Sequence, residues 1–540
     1  MKKLWKRLLV VMMATIMMVS TGSAPVANAA EKSHEGDLVV IHTNDIHGRF
    51  DTVEEKQLGM AAVASLKDYY ESKGADVLLL DAGDFSQGTT LVSYYEGASA
   101  VLFMNAAGYD AVTLGNHEFD YGFEALQVMA GYADFPILAA NILDKKTGEP
   151  YFGDNQIFEF GDKKVGVFGL DTAEAQTKAS PKNVKDITIL DGQELYACAQ
   201  AQVDELKAQG CNYIICVGHL GIDDESAGRR STDLSANTTG IDLFIDGHSH
   251  TEMDGGITIN DTLITSTGSY LENIGVVVYD GEEETASLVS VKDYQGGYDA
   301  AVDSFVKAHQ EIVETAYSGL FATTAVDLNG EKEPGVRTQE TNLGDFAADA
   351  YRYAAQQYFG NEITIDGAIQ NGGGVRASIP AGPISMNTLY TVFPFGNSVS
   401  VVKVTGAQLL EALEASCFAC PSALGGFPQV SGIEFTIDTT VPFVQGAQYP
   451  DSTYYAPAVP GSRVTIHKVG DRAFSLTDSY YIAVNNFMAA GGDTYYVFTQ
   501  AEEVIDTGVI DAEGLISYVD SMDGLIGEAY AVPKGNIVIK

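Results

Sequence analysis

From Asp37 to about Asp280 the chain repeats one theme: a short apolar run, a polar loop, then an amphipathic stretch. The runs are Leu38–Ile41, Val77–Leu80, Ala111–Leu114, Val165–Leu170, Tyr213–Val217 and Ile241–Ile245. Most are too short and too β-branched for helices and read as buried strands. Between them, Met60–Ser72 and Gln193–Gln209 show helical spacing and many good helix formers. Strand alternating with helix predicts an α/β fold. Tyr298–Ser318 reads as one amphipathic helix, with Val302, Phe305, Val306, Ile312 and Val313 along one stripe. It is expected to link the first domain, residues 30–297, to a second α/β domain, residues 319–540. The second domain has its own glycine-rich loop at Asn371–Gly374.

Residues 1–29 stand outside this pattern. Lys2, Lys3, Lys6 and Arg7 precede an apolar run from about Leu8 to Val19, and Ala27-Asn28-Ala29 closes it in the small-x-small form of a signal-peptidase site. The run is shorter than the roughly 20 residues that span a bilayer, and no second such run follows. The expectation is a secreted or periplasmic protein without a stable membrane anchor.

Length and charge narrow the picture. About 510 mature residues exceed one core and fit two large domains. The formal charge of −42 argues against nucleic acid or anionic lipid as a partner. An anionic small substrate would then need local cations, either metal ions or placed arginines. Five cysteines, Cys198, Cys211, Cys216, Cys417 and Cys420, are too few for a disulfide scaffold. Cys417 and Cys420 have redox-motif spacing but no thioredoxin-like strand before them, so a local disulfide or two plain thiols is expected. Nothing in the sequence decides between monomer and homodimer.

Five loops of the first domain carry metal-ligand residues, and each follows an apolar run. They are Asp45-Ile46-His47, Gly83-Asp84, Gly115-Asn116-His117-Glu118, Gly218-His219 and Gly247-His248-Ser249-His250. Functional side chains gather at the carboxyl ends of strands in α/β sheets, so these loops are expected to converge. Five of the nine histidines fall in them, beside aspartates and an asparagine. Such nitrogen and oxygen donors without thiolates suit Mn, Zn, Co, Fe or Mg. Their number suits two ions sharing a bridging carboxylate.

Asp-x-His, Gly-Asp, Gly-Asn-His-Glu, Gly-His and Gly-His-x-His, in this order, resemble the calcineurin-like metallophosphoesterase superfamily. The resemblance implies an αββα sandwich with two divalent ions: Asp45, His47 and His250 on one, Asn116, His219 and His248 on the other, Asp84 between them. In some 5'-nucleotidases an amide stands where this chain has His250. The ions would activate water for attack on phosphorus. His117 would stabilise the leaving oxygen, oriented by Asp120.

The second half is similar to the substrate domain of secreted 5'-nucleotidases and UDP-sugar hydrolases. The matching segments are Arg337 with Glu340-Thr341-Asn342-x-Gly344, Asn371 to Arg376, Pro394-Phe395-Gly396, and Asn486-Phe487 to Asp493. By that resemblance Arg337 and Arg376 would contact phosphate, Asn371 and Asp493 ribose or base edges, and Phe395 and Phe487 would sandwich the base. The expected activity is hydrolysis of nucleoside 5'-monophosphates, with di- and triphosphates or UDP-sugars as further substrates. The alternatives are a 2',3'-cyclic-nucleotide phosphodiesterase with 3'-nucleotidase activity, a thiosulfate-cleaving relative, and a non-catalytic extracellular binding protein.

Overall fold

A computed structural model describes residues 33–179, 183–223, 226–450 and 452–540. The expected signal segment lies outside them. The first domain places two sheets face to face. One runs Glu284–Ser290, Asn273–Tyr279, Leu38–Thr43, Asp76–Asp81 and Ala111–Val112 in spatial order, the last three parallel. The other runs Ile257–Ile259, Thr262–Thr265, Leu243–Ile245, Tyr213–His219, Lys163–Asp171 and Asn155–Phe160, the middle four parallel.

Side-chain alternation explains why the strands are apolar throughout. Leu38, Val40, Leu78 and Leu80 meet Val165, Val167, Ile215 and Val217 between the sheets. Val39, Ile41, Val77 and Leu79 point outward to a layer that includes helices Met60–Ser72 and Ala98–Ala107. Phe168, Leu170, Ile214 and Cys216 point the other way, to helix Gly192–Ala208. The result is the αββα sandwich. The strand expected over 111–114 is shorter, because Thr113 turns its hydroxyl to the Leu138 carbonyl as the ladder ends at Val112.

Asp299 caps a helix over Ala300–Ala316, its carboxylate accepting from the amides of Ala301 and Val302. The buried Val302, Val306 and Val313 lay this helix on Met60–Ser72 and Ala98–Ala107. The second domain is built on a mixed sheet ordered Pro428–Ser431, Gly367–Asn371, Ser479–Asn485, Ser398–Thr405 and Glu503–Ile510. Val399, Val401 and Ala483 face helix Asn342–Phe359, whereas Val402, Val404, Ile482 and Val484 face helix Gly406–Ser416. Thr405 and Gln408 form a capping box at the start of the latter. Cys417 and Cys420, buried just beyond its end, are two thiols; all five cysteines are free. No helix of the described residues is long and apolar enough to cross a membrane.

Candidate metal centre and cleft

The loops after the strands bring Asp45, His47, Asp84, Asn116, His219, His248 and His250 into one cluster. Asp45, His47, Asp84, His248 and His250 all have positive φ, between 47° and 75°. Each such residue costs about 1–3 kcal/mol, and it persists only where the surroundings over-determine it. The loops are also too close for side chains at their glycines. A Cβ on Gly115 would lie 2.4 Å from Asp84 Oδ1, and one on Gly83 would lie 2.5 Å from the Gly115 nitrogen.

Hydrogen bonds occupy one atom of each of several of these groups and turn the other inward. Asp45 Oδ2 accepts from the His248 amide (2.9 Å) and Asn44 Nδ2 (2.8 Å), leaving Oδ1. His219 Nδ1 donates to the Ala82 carbonyl (2.6 Å), leaving Nε2. Asp84 Oδ1 accepts from the His117 amide (2.8 Å), leaving Oδ2, which is 3.1 Å from His219 Nε2 and 3.8 Å from His47 Nε2. His248 Nε2 meets Glu174 Oε2 at 2.9 Å. Across the cluster His250 Nε2 lies 3.1 Å from His47 Nε2 and 3.3 Å from Asp45 Oδ1.

Asn116 Oδ1 is left buried without a hydrogen-bond partner, and Asp45 Oδ1 and His219 Nε2 meet only other groups of the cluster, His250 Nε2 at 3.3 Å and Asp84 Oδ2 at 3.1 Å. A buried polar atom left unpaired costs about 1–3 kcal/mol, and a shared cation would remove that cost. Three overlapping groups have donor atoms within 4.8 Å of one another: Asp45, His47 and His250; His47, Asp84 and His117; Asp84, His219 and His248. Asp84 belongs to two of them, as a bridging ligand requires. The second group brings His117 closer to ligand position than its sequence place suggested. Its Nδ1, however, is engaged by Asp120 Oδ2 at 2.6 Å.

The electrostatics of this cluster favour positive charge. Burial opposes every charge in it, yet Asp84 and Asp45 hold the His219 imidazole well above its ordinary range. Burial likewise opposes the Asp84 carboxylate, which His219 and His117 hold well below its own range. His117 is raised because Asp120 and Asp84 outweigh burial. At His47 burial prevails, and the ring is pushed well below its usual value.

A cleft of about 830 Å³ opens over the cluster. Asp84, Asn116, His117, Asp120, His248 and His250 line it from the first domain. Arg337, Asn371, Arg376, Phe395, Phe487 and Asp493 line it from the second. Asp45, His47 and His219 lie almost wholly buried beneath. Phe395 stacks on His117 (5.9 Å between centroids, 27°), and the Arg376 guanidinium lies 5.7 Å from the centre of the same ring. Asn371 is held from both sides: its Nδ2 donates to Asp493 Oδ2 (2.8 Å), and Asn485 Nδ2 donates to its Oδ1 (2.9 Å). Among the lining residues that the sequence did not single out are Glu174, Lys178 and Lys332. The covering cleft wall, then Arg337, drive the Lys332 ammonium down to about 8.

An αββα sandwich with an Asp/His/Asn cluster at its strand ends, facing arginines across a cleft, defines a metal-dependent phosphoesterase. Comparison with known proteins agrees along both halves. Residues 38–252 match the calcineurin-like phosphoesterase family, and residues 321–500 match the 5'-nucleotidase C-terminal domain. The chain belongs to the calcineurin-like metallophosphoesterases that carry this domain, the 5'-nucleotidase family, and is a phosphoric monoester hydrolase.

The trifunctional nucleotide phosphoesterase protein of Bacillus subtilis is 32% identical over 88% of this chain, which spans only 33% of that longer protein. The 5'-nucleotidase of Vibrio parahaemolyticus is 28% identical, with 94% of each chain covered. The crystal structure of a 5'-nucleotidase precursor from Thermus thermophilus superposes with a TM-score of 0.76 at 28% identity, over 93% of this chain and 99% of that one. Calcineurin-like phosphoesterases use a dinuclear divalent metal centre, and the donor atoms of this cluster fit one.

Proposed function

We propose that the protein is a secreted 5'-nucleotidase, which hydrolyses nucleoside 5'-monophosphates to nucleoside and phosphate. One observation carries the reading. A single cleft has the Asp/His cluster on its floor and the second domain's Arg337, Arg376, Phe395 and Phe487 on its wall. Guanidinium forks suit phosphate, and aromatic faces accept any base. Secretion rests on residues 1–29.

Asp45, His47, Asp84 and His250 would hold one ion, and Asp84, Asn116, His219 and His248 the other. Such ions supply Lewis acidity and a water of lowered pKa; their identity, among Mn, Zn, Co, Fe and Mg, is open to metal analysis. The chain's own groups do the rest. Arg337 and Arg376 fix the phosphate, and Phe395 and Phe487 hold the base. Asp120 takes one ring nitrogen of His117, so the other can hydrogen-bond the leaving ester oxygen. Asn371 and Asp493, already paired with each other, would receive the ribose.

A phosphate-release panel tests this: AMP should be cleaved well ahead of 3'-AMP and 2',3'-cyclic AMP. The similarity to a trifunctional nucleotide phosphoesterase points to more than one phosphoester substrate, and the second reading is a 2',3'-cyclic-nucleotide phosphodiesterase with 3'-nucleotidase activity. A reversed order in the panel would establish it.

A further inference from the structure

Two buried carboxylates beneath the cluster have no part in the chemistry above. Asp246 is fully buried. Its Oδ1 accepts from the amides of Leu220 (3.1 Å), Gly221 (3.0 Å) and Gly247 (2.9 Å), and its Oδ2 accepts from the Ser231 hydroxyl. Leu220 follows His219 and Gly247 precedes His248, so one carboxylate fixes both loops. Glu118 does the same on the other side. Its Oε2 accepts from the amides of Asp84 (2.8 Å) and Gly115 (2.7 Å), and its Oε1 accepts from those of Phe85 and Ser86, both at 3.0 Å. It ties the Asp84 loop to the loop of Asn116.

These amides sit where the chain leaves the sheet and can no longer use the ladder. A carboxylate offers about four lone-pair sites, whereas a side-chain amide oxygen offers two. Glu118 therefore cannot be replaced by its amide without turning an NH2 group toward two buried N–H donors. At Asp246 three amides already share one oxygen, and a neutral amide oxygen would hold them more weakly than the charged carboxylate does.

We propose that Asp246 and Glu118 are positioning residues for the metal centre. Asp246 locks His219 to His248, and Glu118 locks Asp84 to Asn116. The proposal rests on the cluster holding cations and is independent of which ester the cleft receives.

Calorimetric Mn²⁺ titration of the dialysed full chain tests it, together with the visible spectrum of the Co²⁺-loaded protein. Asp246→Asn should weaken at least one Mn²⁺ site by about 10-fold or more, the usual scale for losing a group that orients a ligand, and should change the Co²⁺ bands. Glu118→Gln should weaken both sites, because Asp84 serves both. Leu234→Ala is the control. Leu234 is a fully buried core residue on Ser231–Asn237, and its loss should lower the melting temperature with Mn²⁺ affinity intact. Mn²⁺ affinity unchanged in Asp246→Asn and Glu118→Gln, or reduced no more than in Leu234→Ala, overturns the proposal. If Asp246→Asn does not fold, Ser231→Ala decides: binding about threefold weaker supports positioning, and unaltered binding overturns it. A wild-type chain that bound no Mn²⁺ would instead overturn the reading of the cluster, while failure on AMP would leave this result standing.

Discussion

His117 sits between two roles. Its Nδ1 is bound by Asp120, and its ring packs on Phe395. If it stabilises the leaving oxygen, His117→Ala should lower kcat on AMP by about 100-fold or more with both metals retained. Loss of metal in the purified variant, read by elemental analysis, would make it a ligand instead. Asp84 offers the opposite contrast. Its Oδ2 faces both halves of the cluster, so Asp84→Asn should cost more metal and more activity than His250→Ala, which touches one half. Exhaustive EDTA dialysis should abolish phosphate release, and Mn²⁺, Co²⁺ or Zn²⁺ should restore it; full activity in the chelated protein would refute the metal reading. The two rings are separable from the core by substrate. Phe395→Ala or Phe487→Ala should raise KM for AMP about 10-fold, from stacking of about 1–3 kcal/mol per base. A small aryl phosphate should be hydrolysed almost as before. Equal losses on both substrates, with a lowered melting temperature, would return the rings to the core.

At the scale of elements, strand Leu38–Thr43 carries a histidine that serves no site. His42 is fully buried, neither ring nitrogen has a hydrogen-bond partner, and the ring lies over its cross-strand neighbour Gly275. Burial lowers its pKa from 6.5 to about 3. The folded state therefore excludes the proton that the unfolded chain accepts. The stability this adds is complete above pH 6.5 and is lost at about 1.4 kcal/mol per pH unit as pH falls toward 3. Between pH 7 and 5 the metal-free wild type should lose about 2 kcal/mol more than His42→Phe in urea unfolding; parallel losses would show that His42 is solvated or paired.

The same strand shows what could be read from sequence. The ligand loops were legible because each ligand lies a few residues after an apolar run, as at Val40-Ile41 before Asp45 and Leu79-Leu80 before Asp84. The division of those runs between two sheets was not legible from their pattern. Every one is apolar on both faces, and the sandwich entered through family resemblance. Asp246, Glu174 and Lys332 were missed for a different reason. A carboxylate that matters through backbone amides, as Asp246 does, or through one histidine, as Glu174 does, looks like any other in a chain with 73 acidic residues, and Lys332 follows no spacing rule.

For the whole molecule the charge problem and the two-domain problem have one solution. A chain of −42 attracts a phosphate only where local cations offset its acids, and Arg337, Arg376 and Lys332 face the acids of the cluster from the second domain. The cluster that would do the chemistry belongs to the first. Substrate must touch both, so turnover should require the cleft to close on it and reopen. Contacts across the cleft are already made: the Asp493 amide donates to the Thr177 carbonyl (2.9 Å), and the Thr177 and Thr453 hydroxyls lie 3.3 Å apart. Thr177 follows the Lys163–Asp171 strand of the first domain, and Thr453 belongs to the second. Their side chains are close enough for Thr177→Cys with Thr453→Cys to form a disulfide across the cleft. The oxidised double variant should lose AMP turnover by about 10-fold or more, since a locked cleft can neither admit substrate nor release nucleoside. Dithiothreitol should restore it, and each single cysteine variant should behave as wild type in both redox states. Mass analysis under non-reducing conditions confirms the cross-link before rates are compared. Wild-type turnover of AMP by the fully cross-linked protein would mean that the two half-sites exchange substrate and product without moving apart.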